Sequence, residues 1–154
     1  MATSKNIKDA DLALQGLDVR LGELLDKALT NTEMLTNSFA KMKDAVPKDV
    51  FDHVNGQMDK TKEIAQEITD IESLRGTSAF ESAKSQFSID TKIADIAKER
   101  LKLMKMRTEM GEDAYKTAML NLDNQEEVLN STKEKWKFDS MVADKQKDME
   151  KNLV

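Results

Sequence analysis

His53 is the only histidine of the chain, so acid–base or metal chemistry that needs an imidazole has to use it. Helical di-iron sites place a glutamate three residues before a histidine, and here Val50 occupies that position. The sequence contains no G-x-S-x-G motif and no cysteine, so His53 has no recognisable nucleophile to activate. We interpret His53 as a partly exposed helical residue rather than as a catalytic or metal-binding group.

Clustered carboxylates are the other groups that could carry out acid–base chemistry, namely Glu109 with Glu112 and Asp113, and Glu126 with Glu127. Such catalysis needs a pocket that separates the pKa values of two carboxyl groups, and both clusters are typical of exposed helical faces. The five glycines are scattered singly and form no phosphate-binding loop of the G-x-x-x-x-G-K or G-x-G-x-x-G type. We therefore predict no catalytic residue, no metal site and no cofactor, and we do not expect an enzyme.

A basic cluster is the one candidate for binding an anion. Its members are Lys98, Arg100, Lys102, Lys105 and Arg107. Ion pairing within the chain or between subunits is the first interpretation, with an acidic protein partner as the sharper alternative. The cluster contains no aromatic residue on which a base could stack, and the chain carries a net charge of −5, so we do not expect a nucleic-acid partner.

The same stretch, KERLKLMKMR, is apolar on two sides of a helix. At about 100° per residue, Leu101 and Met104 fall on one side, and Leu103 and Met106 fall roughly opposite. A helix with two apolar faces needs two neighbours, so this segment is predicted to be a central rod around which other helices pack. We expect the protein–protein contacts to be made by Leu101, Leu103, Met104, Met106, Trp136 and Phe138, with Trp136 and Phe138 more typical of a core.

The composition favours long helices. Among 154 residues there are one proline and five glycines, whereas strong helix formers dominate and aromatic residues make up only 5%. No uncharged apolar run approaches the length of a membrane span, and the first residues contain no apolar signal-peptide region. The location stays open between the cytoplasm and secretion without a visible signal peptide, because a chain without cysteine suits either redox environment.

Apolar residues at three- and four-residue spacing predict an all-α protein, either a compact antiparallel bundle or an extended coiled-coil hairpin of three to four long helices. Pro47 should end the first helix, and Gly76 should cap the second. Asn31 interrupts the first apolar series, either as a tolerated polar residue or as a buried register-fixing group. We predict a single helical domain with mobile residues 1–8 and helices over roughly 8–46, 48–75, 78–121 and 124–152.

Two local signals define the later helices. Ser78 with Glu81 has the spacing of a capping box, which predicts the start of the third helix. Interruptions are expected either at Gly111 or around Asp123, and the second is favoured because Asp123 and Glu126 have the same capping-box spacing. The expected apolar face of the third helix includes Phe80, Phe87, Ala94, Ala97, Leu101 and Met104, with Ile89, Ile93 and Ile96 beside it.

These features predict a non-enzymatic helical interaction or structural protein that assembles with itself or docks other helical proteins. Its general character, acidic, free of cysteine and built from helical hairpins, resembles many helical subunits and helper proteins of bacterial secretion, conjugation and phage machines. The alternative is a helical bundle that binds a small ligand or a metal in its core, which would require polar groups that converge inward.

Overall fold

The computed structural model describes the backbone of residues 2–152 and the side chains of residue 13 and residues 15–144. Five helices and no strand are present in that range, which confirms the all-α prediction. The helices are α1 (Ala2–Ala40), α2 (Lys48–Ser73), α3 (Ala79–Phe87), α4 (Ile89–Met110) and α5 (Glu112–Asn152).

The four longer helices form an antiparallel bundle. At one end of the α1–α2 hairpin Phe39 stacks on Phe51 with 5.2 Å between ring centroids, and at the other end Arg75 lies 3.4 Å from Asp18. Helices α4 and α5 likewise run in opposite directions, as two hydrogen bonds between them show. Arg107 donates to Glu112 beside their turn, and Lys133 donates to Asp90 at the far end. The arrangement is the bundle alternative of the sequence prediction.

Helix α5 is the central helix of the bundle, since it packs against α1, α2 and α4. It runs antiparallel to α1, as shown by the pairs Asp18 with Lys135 and Thr32 with Asn124. Because α2 is also antiparallel to α1, α2 and α5 run parallel to each other. They lie diagonally across the bundle and are in contact where the Thr61 hydroxyl meets the Asn121 amide. The prediction that the segment 98–107 is the central rod was wrong.

The first helix ends six residues before its predicted end. After Ala40 the backbone tightens into three-residue turns, in which the Met42 N–H donates to the Phe39 carbonyl and the Ala45 N–H donates to the Met42 carbonyl. These turns bring Val46 into the core immediately before Pro47 begins the next helix. At the other end α1 already includes residues 2–8, which were expected to be mobile, while Met1 lies outside the described residues.

The favoured break at Asp123 was wrong, and the break lies at Gly111. Gly111 has a φ of 84°, in the region that favours glycine, and α5 starts directly after it. Asp123 instead continues α5, because its carboxylate accepts a hydrogen bond from Arg100 of α4 at 2.7 Å rather than capping a new helix.

A further break at Ser88 was not predicted. Ser88 adopts a φ of 51°, and its hydroxyl lies 2.8 Å from that of Thr91 in the first turn of α4. The predicted capping box is also absent, since Ser78 makes no side-chain cap and Glu81 pairs with Lys84 at 3.0 Å. Gly76 has the expected positive φ, at 86°, but the C-cap of α2 is Leu74, two residues earlier.

Candidate functional site: the outer face of α4

Helix α4 buries one face within the bundle. Ile96, Leu103 and Met110 are almost fully buried on it, and their seven-residue spacing places them in a row along the helix. Ile89 and Ile93 pack partly against the same core. This row attaches α4 chiefly to α5 and therefore fixes which side of α4 faces outward.

The opposite side of α4 carries a second apolar row, formed by Ala94, Ala97, Leu101 and Met104, and we call this row the outer stripe. The 3-4-3 spacing is that of a and d positions in a coiled-coil heptad. All four residues are exposed, and Leu101 and Met104 remain 59% and 58% accessible. The outer stripe thus has the pattern of a helix-packing seam without a covering helix in the part of the chain that the structure describes.

The sequence prediction had assigned the outer stripe to the packed face and the isoleucines to its flank, and the structure reverses the two. Apolar burial stabilises in proportion to the area removed from water. Ile93, Ile96 and Leu103 offer far more area than Ala94 and Ala97, so the row of larger side chains turns inward.

Two of the five basic residues are held against α5. The Arg100 guanidinium lies 2.7 Å from an Asp123 oxygen and 2.5 Å from a Glu126 oxygen. Arg107 forms two hydrogen bonds with Glu112, at 2.6 and 2.9 Å. Burial lowers the pKa of Arg100, but its carboxylate bonds outweigh burial, so the pKa is raised overall. The Arg107 bond likewise lowers the pKa of Glu112.

The three lysines of the basic cluster form fewer ion pairs than its two arginines. Lys102 lies 3.5 Å from Glu99 of its own helix. Lys98 and Lys105 are exposed, and neither has a carboxylate within ion-pair distance among the described residues. The interpretation of the cluster as intramolecular ion pairs therefore holds for Arg100 and Arg107, whereas Lys98 and Lys105 leave positive charge beside the outer stripe.

The remaining predicted contact residues lie within or beside the core. Leu103 is 1% exposed, and Met106 packs against the core from its edge. Trp136 is 7% exposed, forms an edge-to-face contact with Phe87, and donates its indole hydrogen to Glu72 at 2.8 Å. Phe138 is half-buried on α5. In this structure Leu103 and Trp136 serve packing within the chain, so a partner could reach them only if the bundle opened.

An ion-pair network that the sequence did not indicate joins three helices. Lys135 of α5, only 3% exposed, contacts Glu72 of α2 at 2.8 Å and also pairs with Asp18 of α1. Arg75 binds both oxygens of Asp139 at 3.0 and 2.9 Å and reaches Glu72 at 2.8 Å. The local spacing of Glu72 and Arg75 was the only sequence signal, because the other partners are far apart in the chain.

Glu72 is the hub of this network. Burial alone raises the pKa of Glu72, but hydrogen bonds from Lys135, Arg75 and Trp136 outweigh that effect and lower the pKa overall. The lowered pKa keeps Glu72 ionised at neutral pH, as a carboxylate that accepts hydrogen bonds from three side chains. The network therefore joins α2 to α5.

His53 has a similar role between α2 and α4. Its Nε2 atom lies 2.8 Å from Glu99, and the ring is about one quarter exposed. Val50, at the position where a di-iron site would place a glutamate, is buried in the core. Within the described residues, no group of three or more histidine, aspartate or glutamate side chains is arranged to hold a metal ion.

The core also contains polar side chains that converge on the middle of the bundle. Thr32, Asn121 and Gln125 are almost fully buried, whereas Asn31 is only half-buried. The Thr61 hydroxyl is 3.1 Å from both the Gln57 carbonyl and the Asn121 amide oxygen.

Thr61 has only one hydroxyl hydrogen, so it cannot donate to both oxygens. Turning the Asn121 amide by half a turn lets its NH₂ donate to Thr61 while Thr61 donates to Gln57. In that arrangement the Asn121 oxygen takes the position of the unpartnered NH₂, and the Gln125 NH₂ likewise has no hydrogen-bond partner among the described residues. Three clefts between the helices are lined by residues other than these amides. Ligand binding in the core stays a prediction.

No protein family, no curated protein and no solved structure matches the chain. Within the described range, none of the helices is both long and apolar enough to cross a membrane.

Proposed function

We propose that this protein is a non-enzymatic helical interaction protein that docks a helix, from another protein or from a second copy, on the outer stripe of α4. The observation that carries the proposal is the exposure of Leu101 and Met104, at 59% and 58%, at heptad spacing with Ala94 and Ala97. Scattered exposed apolar residues are normal on a protein surface, but a row at the spacing of a helix seam is the pattern that helix-in-groove recognition uses.

The small residues of the outer stripe support the same function. Ala94 and Ala97 add little side-chain bulk, so a docked helix could approach the α4 backbone closely at that end. Met104 at the other end is unbranched and adapts to different partner surfaces. The rest of the bundle serves to hold α4 in place through the buried row of Ile96, Leu103 and Met110.

Site-specific photo-crosslinking in cells that naturally produce the protein tests this proposal. Benzoylphenylalanine in place of Leu101 should give a discrete adduct with a helical partner or a second copy, and combining it with Met104→Gln should remove the adduct. The matched control places the same group at Met34 of α1, which is equally exposed at 62%. An absent adduct at Leu101, or the same adducts from both positions, would argue against docking on α4.

The resemblance to subunits and helpers of bacterial secretion, conjugation and phage machines suggests the kind of assembly in which to seek the partner. Such machines are built from many helical subunits that pack side by side. The mass of the adduct would distinguish a second copy from a different subunit.

A further inference from the structure

Four basic residues flank the outer stripe. In the heptad that places Ala94 and Leu101 at a and Ala97 and Met104 at d, Lys98 and Lys105 fall at e positions. Arg100 and Arg107 fall at the corresponding g positions. In coiled coils the e and g residues determine which helices pair and in which orientation.

This pattern disfavours antiparallel pairing of α4 with α4 of a second copy. Antiparallel helices bring e against e, which would set Lys98 and Lys105 against lysines of the other copy. Like charges held opposite each other destabilise a contact, so the lysine flank acts against this pairing. Parallel helices bring e of one chain against g of the other, which would set each lysine beside an arginine that is already paired with a carboxylate of α5.

The two flanks also differ in how their charge is satisfied. Arg100 and Arg107 are already neutralised by Asp123, Glu126 and Glu112 on the α5 side. On the other flank, Lys98 and Lys105 are exposed, have no ion-pair partner in the described region, and stand one heptad apart. That flank presents two positive charges seven residues apart. The e and g positions of a second helix repeat at the same spacing.

We infer that the outer stripe of α4 docks an amphipathic helix of a different protein, with apolar residues at a and d and acidic residues seven apart facing Lys98 and Lys105. This inference rests on the proposed function and specifies its partner. Apolar contacts from Leu101 and Met104 supply the attraction, and the lysine flank selects acidic helices over basic helices and over an antiparallel second copy of α4.

Binding of two synthetic helices that differ only in flank charge tests the inference. Both probes have about four heptads with leucine at a and d, long enough to be helical, and one carries glutamate at e and g while the other carries lysine. Fluorescence anisotropy with the full chain should give at least about tenfold tighter binding of the acidic probe, with a preference that weakens as salt is added.

Variants of the flank provide the decisive comparison. Lys98→Glu with Lys105→Glu should reverse the preference between the probes. The matched control is Arg20→Glu with Lys27→Glu, two exposed basic residues spaced by the same seven positions on α1, and it should leave the preference unchanged. Leu101→Gln with Met104→Gln should abolish binding of the acidic probe, with circular dichroism used to verify that each variant keeps its helical content.

Equal binding of the two probes, a preference for the lysine probe, or no binding of either would overturn the inference. Light scattering over a concentration series adds an independent outcome. A dimer that is lost in the Leu101→Gln, Met104→Gln variant would also overturn it, because the occupant would then be a second copy. In that case the proposed helix-docking function would stand, whereas an absent crosslink at Leu101 in cells would remove the function itself.

Discussion

Leu101 and Leu103 form a natural pair of probes, because the same residue type occurs twice on α4 with opposite environments. Leu103 is 1% exposed and Leu101 is 59% exposed. Truncation of a buried leucine to alanine removes its transfer free energy and leaves a cavity, so Leu103→Ala should lower the free energy of unfolding by about 3 kcal/mol. For a chain of 154 residues this loss lowers the melting temperature by about 6–12 °C.

Leu101→Ala should have a much smaller effect. Full burial of a leucine side chain is worth about 2 kcal/mol, and less than half of this residue is covered. The higher helix propensity of alanine offsets part of that loss, so the expected change is within about 0.5 kcal/mol. The two substitutions are chemically identical, so the difference between them reports burial alone.

Urea unfolding followed by far-ultraviolet circular dichroism measures both free energies, and an unchanged m value shows that the comparison is valid. The structure predicts a large loss for Leu103→Ala and almost none for Leu101→Ala. Equal losses, or a larger loss at Leu101, would refute the orientation of α4 and with it the exposure of the outer stripe.

Three further predictions test other parts of the structure. Hydrogen bonds lower the folded-state pKa of Glu72, so its stabilising effect is present above the ordinary glutamate pKa and is lost as the pH falls through the lowered value. Glu72→Gln should therefore reduce the fall in the free energy of unfolding at acidic pH, measured by urea unfolding. An unchanged fall would contradict this assignment. Gln125→Met should raise the free energy of unfolding by about 1 kcal/mol, because it removes the buried NH₂ that lacks a partner, and a loss would show that this amide is bonded. Gly111→Ala should lower the melting temperature, because alanine at a φ of 84° carries a strain of about 1–3 kcal/mol. Gly56→Ala inside α2 should raise the melting temperature, because alanine is favoured over glycine in a helix by about 0.5–1 kcal/mol. Effects of the same sign would contradict the backbone conformation at Gly111.

The fold class was predictable because its causes are local. Scarce breakers and three- and four-residue apolar spacing specify long helices, and Pro47 and Gly76 lie just outside the two ends of α2. The break at Ser88 was missed, and a break was wrongly predicted at Asp123, because a capping residue can bond either to its own turn or to a residue of another helix. Asp123 binds Arg100 across the hairpin, and such a competition is decided by packing rather than by sequence spacing.

The candidate site was only partly predictable. The sequence shows two apolar rows on α4 but not which row a neighbour covers, since the choice depends on the area that each row offers to α5. The sequence prediction therefore placed Leu101 and Leu103 in the same set of contact residues. The network around Glu72 and Lys135 was missed because its members come from three helices, and spacing within one helix carries no information about such contacts.

The most direct test of docking on the outer stripe is a thiol-protection footprint of α4, which the absence of natural cysteines makes clean. Single cysteines at Ala94, Ala97, Leu101 and Met104 are treated with a maleimide, first in the purified protein and then in cells that naturally produce it. Thr30 of α1, also exposed, is the control position. Docking predicts that all four positions react in the purified protein and are protected in cells, while position 30 reacts in both. Equal reactivity of the four positions in both settings would contradict it.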